Sequence, residues 1–319
     1  MATNSFLPFA SGADANVLTD AQYQSDLASG GTYADGVVSG QASSAQANKV
    51  WRQSTAMSSA LGQVIVDILS EDANDSLTTA ELAQLLIEAF SGGTLLATTV
   101  FPAGSSTWTP NPLTTKARYR LCAPGGSGGG APALASSATT ACASTGGGGG
   151  SYEEGIMTFS RGALSAGIAI YVGTGGASPT AGQNDGNPGI HSYIGGRVAP
   201  GGPGGLAGQP YTPPFAVSLG TVAGLPSGAI ASGVTLQTLI ADPGGAAGSG
   251  FAMNTGNILP GPGGSSLIGH GGVFGGSGGV SAGAQAYGGG GSGTATEPGG
   301  AATSGGAGAV GYIQIDEYL

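Results

Sequence analysis

The glycines decide what this chain can fold into. There are 66 in 319 residues, and only six of them precede residue 91; beyond it they make up about a quarter of the chain, against roughly 7% in ordinary proteins. Glycine loses more conformational entropy on ordering than any other residue. A segment this rich in it cannot be a run of amphipathic elements around a large aliphatic core. Leu, Ile, Val and Phe together reach only about 19% of the chain, and Gly plus Pro about 26%. Taken as averages, these values signal low complexity or disorder.

The averages hide a division. Residues 1–90 carry ten carboxylates against Lys49 and Arg52, whereas 91–319 carry seven against five bases. The helical pattern stops at Ser91-Gly92-Gly93. We therefore read 1–91 as a helical domain and 92–319 as a glycine-rich β domain, an α + β chain overall. Seven basic residues against 17 acidic ones cannot form a phosphate-neutralising surface, so no nucleic-acid partner is expected. The opening Met1–Asn16 has neither a basic nor an apolar leader region, so no secretory signal is expected. No apolar stretch is long enough to span a bilayer, so no membrane insertion is expected either. Cys122 and Cys142 are too few for a disulfide framework and read as free thiols.

Within the first domain, Asn4–Asn16 has no periodicity and reads as an arm, with apolar Phe6, Leu7, Pro8 and Phe9. Such an arm either packs on its own domain or docks to a partner. Thr19 can cap a short helix over Asp20–Ala28, stopped by Gly30-Gly31. Ser43 or Ser44 opens a longer one running to about Ser70. On it Val50, Ser54, Met57, Leu61, Val64 and Ile68 are spaced 4-3-4-3-4. This is either a short coiled-coil seam or the apolar face of a helix on a globular core. Thr78-x-x-Glu81 is a capping box, flanked by Leu77 and Leu82 as a hydrophobic staple. Leu82, Leu85, Leu86, Ala89 and Phe90 then share one face. Helices this short bury little alone, which argues for self-association.

Beyond Gly93 the period changes to two. Thr94–Phe101, Lys116–Cys122, Gly155–Ser160, Gly167–Val172 and Gly311–Asp316 read as strands. Ala117, Tyr119 and Leu121 should face one way, and Arg118, Arg120 and Cys122 the other. Between them lie glycine runs at 125–130, 146–150 and 288–291. Two states fit these. They are flexible linkers, or they lie in parallel as polyglycine helices of polyproline-II type. Low charge and the scattered Pro200, Pro203, Pro260 and Pro262 favour the second, because proline presets the required φ.

Reactive chemistry finds no foothold in the pattern. His191 and His270 each sit among glycines, without the ligand spacing a metal needs. Adjacent Glu153-Glu154 on a strand face opposite ways and read as solubilising charges rather than a hydrolytic pair. The glycine runs lack the Gly-Lys-Ser/Thr of a phosphate loop. No enzyme activity, metal or cofactor is expected. What remains is recognition, for which Tyr residues are suited; Tyr152, Tyr193, Tyr211, Phe251, Phe274 and Tyr287 are the candidates.

At Asn4–Gly31 and Ser39–Asp67 the chain resembles the N-terminal region of tail fibre proteins of tailed bacteriophages. The shared elements are the Phe-Leu-Pro-Phe arm, the Asn-Val-Leu that opens the first helix, and the run Lys49-Val50-Trp51-Arg52-Gln53-Ser54. The glycine-rich part resembles the terminal domain of such fibres at Ser105–Gly130, at Gly146–Gly176 and in the closing strand from Gly308. Residues 205–260 match nothing in that pattern, and Cys122-Ala123-Pro124 departs from its usual aromatic-Gly-small sequence. The resemblance implies a virion structural protein made in the host cytoplasm and usually a homotrimer. Its N-terminus, through Phe6, Leu7, Pro8, Phe9, Trp51 and Arg52, would attach to tail or baseplate proteins. Val50, Met57, Leu61, Val64 and Ile68 would form the trimer seam. The glycine-rich domain would adhere to a polysaccharide, pilus or outer-membrane protein of the host. A tail-tip or baseplate subunit without receptor contact fits the same features. A free ice-binding or matrix polyglycine protein fits less well, since the tripeptide period is broken, and a depolymerase would need a carboxylate pair in a groove.

Overall fold

The computed structural model describes residues 2–12, 14–29, 43–69, 71–90, 93–160, 163–218, 221–273 and 282–319. They form two compact units, 1–94 and 95–319.

The first unit holds three helices, α1 (Asp20–Ala28), α2 (Ser44–Leu69) and α3 (Thr79–Phe90). Their starts are fixed locally. Thr19 and Gln22 form a capping box on α1. On α3, Glu81 N–H donates to Thr78 Oγ1 at 3.3 Å while Thr78 N–H donates to Glu81 at 2.7 Å. The stop expected at Gly30-Gly31 lies outside the described residues. Packing is thin: α1 buries no residue, α2 buries Lys49, Gly62 and Ile65, and α3 buries Glu88 and Ala89. Phe90, expected on the inner face of α3, is 68% exposed; it is the last residue of the helix, a turn beyond Leu86, which does line the inner cavity.

The second unit is built on two antiparallel sheets. The first has the order β1 (Leu95–Phe101), β14 (Tyr312–Tyr318), β3 (Lys116–Cys122), β5 (Tyr152–Thr158), β10 (Thr235–Asp242); the second is β2 (Gly104–Trp108), β6 (Ile168–Val172), β7 (Ser192–Ile194), β8 (Arg197–Ala199). Their facing sides share one core, with Ala117, Tyr119, Leu121, Met157, Ile313 and Ile315 from the first sheet and Ile168, Ile170, Val172 and Ile194 from the second. The alternation expected along β3 is observed, except that Cys122 on the outer side is also buried, since the chain there already enters the glycine packing.

Glu153 and Glu154 do face opposite ways, but they are not solubilising charges. Glu153 is fully buried. It accepts from Tyr119 Oη at 2.9 Å, from Thr238 Oγ1 at 2.7 Å and from Arg197 Nε and Nη2 at 2.8 and 2.6 Å. Gly155, opposite Tyr119 in the ladder, leaves room for that ring; a Cβ there would lie 2.5 Å from Tyr119 Oη. Glu154, on the outer face, pairs with Arg118, approaches Arg120 at 3.6 Å and accepts from Tyr152 Oη at 3.1 Å. Arg120 also reaches Asp316 at 3.5 Å. The strand places each carboxylate beside an arginine that arrives from a distant part of the chain, which residue-by-residue polarity does not reveal.

The glycine runs are ordered and bonded with a period of three. From the central run 123–131, Ala123, Gly126 and Gly129 donate to Ser151, Gly148 and Thr145; Gly125, Gly128 and Ala131 donate to Ala309, Gly306 and Thr303; Ser127 and Gly130 donate to Asn187 and Asn184. These bonds are 2.8–3.1 Å long. Three further runs donate into it: Gly202, Gly205 and Gly208 to Pro124, Ser127 and Gly130, Gly176 to Gly125, and Gly291 to Gly126. Each run thus addresses a neighbour once per three residues, as a three-residue-per-turn helix requires. The central run is enclosed by six others and is wholly buried. Directions are mixed rather than parallel. Partner numbers fall against 143–151 and 303–311 and rise against 202–208. Short loops that return the chain, such as the one between 131 and 141, force the reversal.

Candidate functional site

The bundle has two unlike ends. At one, the runs emerge directly from strands: Ala123 follows β3, Ser151 precedes β5, Gly173 follows β6 and Gly311 precedes β14. Following the bonds along the bundle, Ala131 lies level with Thr303, Gly130 with Asn184 and Gly208, and Gly129 with Thr145. The connections beyond that level, 132–140, 178–183, 209–217, 250–259 and 295–302, therefore gather at the end far from the two sheets. At about 3.1 Å per residue, the nine residues of 123–131 hold this end about 28 Å from the sheets.

Glycine is obligatory along the shaft. A Cβ on Gly125, Gly126, Gly128 or Gly129 would lie 1.9–2.1 Å from a carbonyl oxygen of a neighbouring run, and one on Gly146, Gly149 or Gly150 2.1–2.2 Å. The non-glycine residues of the shaft earn their place by bonding. Ser127 Oγ accepts from Asn187 N–H at 2.7 Å, and Ser144 Oγ donates to Gly129 at 2.6 Å while accepting from Thr294 N–H at 2.7 Å. Larger side chains at this end of the unit are carried by the loops, the usual seat of binding on a rigid scaffold.

The loop end carries a small sheet of its own, β12 (Asn257–Leu259), β11 (Gly250–Asn254) and β9 (Phe215–Val217), and the two-residue strands β4 (Cys142–Ala143) and β13 (Ala295–Thr296). Its inner side is a minor core of Ala141, Ala143, Ala252, Ile258 and Ala295, with Phe215 against it. Tyr211 meets Phe215 edge-on at 5.4 Å. The outer side presents Phe251 and Met253, 40% and 70% exposed.

The recognition candidates are sorted by this geometry. Tyr211 and Phe251 stand at the loop end and are exposed. Tyr193 lies on the second sheet in a cluster of three rings, 5.5 Å from Tyr171 and 5.9 Å from His191, which are themselves 6.0 Å apart. Tyr287 lies at the sheet end, against Tyr312 at 4.8 Å. Tyr152, expected at the surface, is buried instead: it is 3% exposed, its hydroxyl bonds Glu154, and burial, then that bond, pushes the hydroxyl up to about 12. Phe274 lies outside the described residues. Met253 was missed, because periodicity is too short there to place it on an outer face.

In the helical unit the arm packs on its own helices. Asn4 Nδ2 donates to Ser59 at 2.8 Å and Phe9 N–H to Thr55 Oγ1 at 2.7 Å. Phe6 lines an apolar cavity of about 170 Å³ with Leu61, Gly62, Ile65, Leu82 and Leu86. Gly62 stands mid-helix because a Cβ there would lie 2.4 Å from Asn4 Oδ1. Leu7 remains exposed, and Phe9 meets Trp51 edge-on at 5.6 Å with both rings partly in solvent; Pro8 and Arg52 flank this pair in sequence. The seam is only partly covered within a single chain. Val50, Met57 and Ile68 are 44%, 65% and 56% exposed, and Leu61 and Val64 half-buried.

Among the described residues no group of three or more His, Cys, Asp or Glu could hold a metal, and no helix is long and apolar enough to cross a membrane. No protein-family model matches the chain, and no curated protein is significantly similar to it.

Proposed function

We propose that the chain is a bacteriophage tail fibre or receptor-binding protein. It assembles as a homotrimer along the α2 seam, attaches to tail or baseplate proteins by its N-terminal unit, and adheres to the host surface by the glycine-rich unit. The observation that carries this reading is the bundle itself. A shaft that is glycine at about half of its positions holds loops of small and hydroxyl residues, with a few exposed bulky groups, at one end. That division suits a display scaffold whose tips meet a partner. The resemblance of 4–31 and 39–67 to tail fibres and the largely exposed 4-3-4-3-4 seam point the same way.

Solution mass and adsorption test it together. Light scattering of the full chain should give three copies, and Met57→Lys with Ile68→Lys, both exposed in the single chain, should reduce this to one. The purified trimer should compete with virions for host cells. A wild-type monomer would refute the homotrimer, and virions that adsorb normally when the loop end is blocked by antibody would refute receptor binding; that second result with an intact trimer would favour a structural tail-tip subunit.

A further inference from the structure

We infer that the loop end engages an uncharged, apolar protein surface on the host, and not an anionic polysaccharide; this rests on the receptor-binding reading above. The argument is one of charge. After Arg120 the chain has only two basic residues, Arg161 and Arg197. Arg197 lies at the sheet end, committed to buried Glu153, and Arg161 is outside the described residues. Lys116, Arg118 and Arg120 are on β3, also at the sheet end. Among the described residues the loop end therefore holds no cation. The groups there that carry charge as carboxylates are Asp185, accepting from Ala207 N–H at 2.8 Å, and the exposed Glu297.

A phosphorylated or acidic polymer would meet no counter-charge there and two like charges, the reverse of what steers and holds such ligands. What the end offers is apolar contact. Phe251 and Met253 project from the outer side of β11, with Ala216 and Leu259 opposite Phe251 in the ladders on either side. Tyr211 adds a third exposed bulky group. Aromatic residues and Met are enriched where protein interfaces are dry at their centre, and charged groups are depleted there. A neutral glycan is the competing ligand, since Ser136, Thr139, Gln183 and Asn254 are also exposed at this end. The protein surface is favoured by Met253, an exposed thioether that offers sugar hydroxyls no strong partner, and periodate oxidation separates the two.

The test uses fluorescently labelled full-length protein on adsorbing cells that are untreated, shaved with proteinase K, or oxidised with periodate. It compares wild type with Phe251→Ser/Met253→Ser, whose exposed positions leave the fold intact, as its melting curve should confirm. Shaving should reduce binding at least tenfold, periodate should not, and the double variant should bind at least tenfold more weakly. Raising NaCl from 50 to 500 mM should change binding less than about twofold, since no ion pairs are screened. Binding that survives shaving but not periodate, or that falls steeply with salt, overturns the inference in favour of a glycan. A double variant that binds as wild type overturns the patch. Wild-type protein that adheres to no adsorbing cell sinks the receptor-binding reading itself, a result distinct from all of these.

Discussion

At the scale of single residues, the shaft glycines are the most constrained positions. Gly128→Ala would put a Cβ 1.9 Å from Ser292 O and 2.4 Å from its carbonyl carbon. Neither atom can swing aside, because both belong to a run bonded on several sides. The expected cost is on the order of 4 kcal/mol or more, in the class of severe overpacking. Gly224→Ala is the control. Its Cβ would meet only Pro200 Cγ, at 3.6 Å, so its melting temperature should match or slightly exceed wild type. A Gly128→Ala protein that melts like wild type would contradict the packing described here. The two thiols follow from burial in the same way. Burial pushes Cys122 up to about 12 and Cys142 up to about 11, so neither forms thiolate at neutral pH. Both should resist a thiol reagent at pH 8 in the folded protein and react together after denaturation.

At the scale of elements, the paired strands β3, β5 and β14 carry the charge network. Glu153→Gln leaves Arg197 without its counter-charge in a buried setting, and breaking such a pair costs about 3–5 kcal/mol. Urea denaturation would measure it. Glu154 supplies the pH dependence. Burial raises its carboxyl, but the bonds from Arg118 and Tyr152 and the charges of Arg118 and Arg120 outweigh this and hold it below the usual carboxylate range. A depressed folded value means that the stabilisation is complete above the unfolded value, about 4.3. It is lost as pH falls from there through the folded value. The melting temperature should therefore drop below about pH 4, and Glu154→Gln should flatten that part of the curve. The helices depend on local signals instead. Thr78→Ala removes the cap of α3 and should cost about 1 kcal/mol, read as lost helicity on heating.

At the scale of the whole molecule, the two units draw stability from different sources. The glycine-rich unit is held by backbone bonds between runs and by a core between two sheets, both complete within one chain. Limited proteolysis of the intact protein should leave the runs 123–131 and 141–151 uncut, and rapid nicking within them would restore a flexible-linker reading of the runs. The helical unit buries few side chains per chain and keeps an apolar seam in solvent. Its stability should therefore rise with protein concentration, which melting curves at two concentrations would reveal.

Local chemistry was legible from the residues alone. The caps at Thr19 and Thr78, the extent of α2, the strand at Lys116–Cys122 and the change of period near Gly93 rest on near neighbours in sequence, and the structure reproduces them. The three-residue period of the glycine runs was open between two states, because a polyglycine helix has no internal hydrogen bonds to encode. Its bonds go to other runs, such as Gly128 to Gly306 and Gly147 to Gly291, and only the assembled bundle chooses those partners. The same holds for Glu153, whose burial depends on Arg197 across 44 residues, and for Tyr152, a surface candidate by residue type that the sheet buries. Sequence sets where backbone can pack without side chains; the tertiary structure decides which backbones meet, and hence which few side chains are left to face a partner.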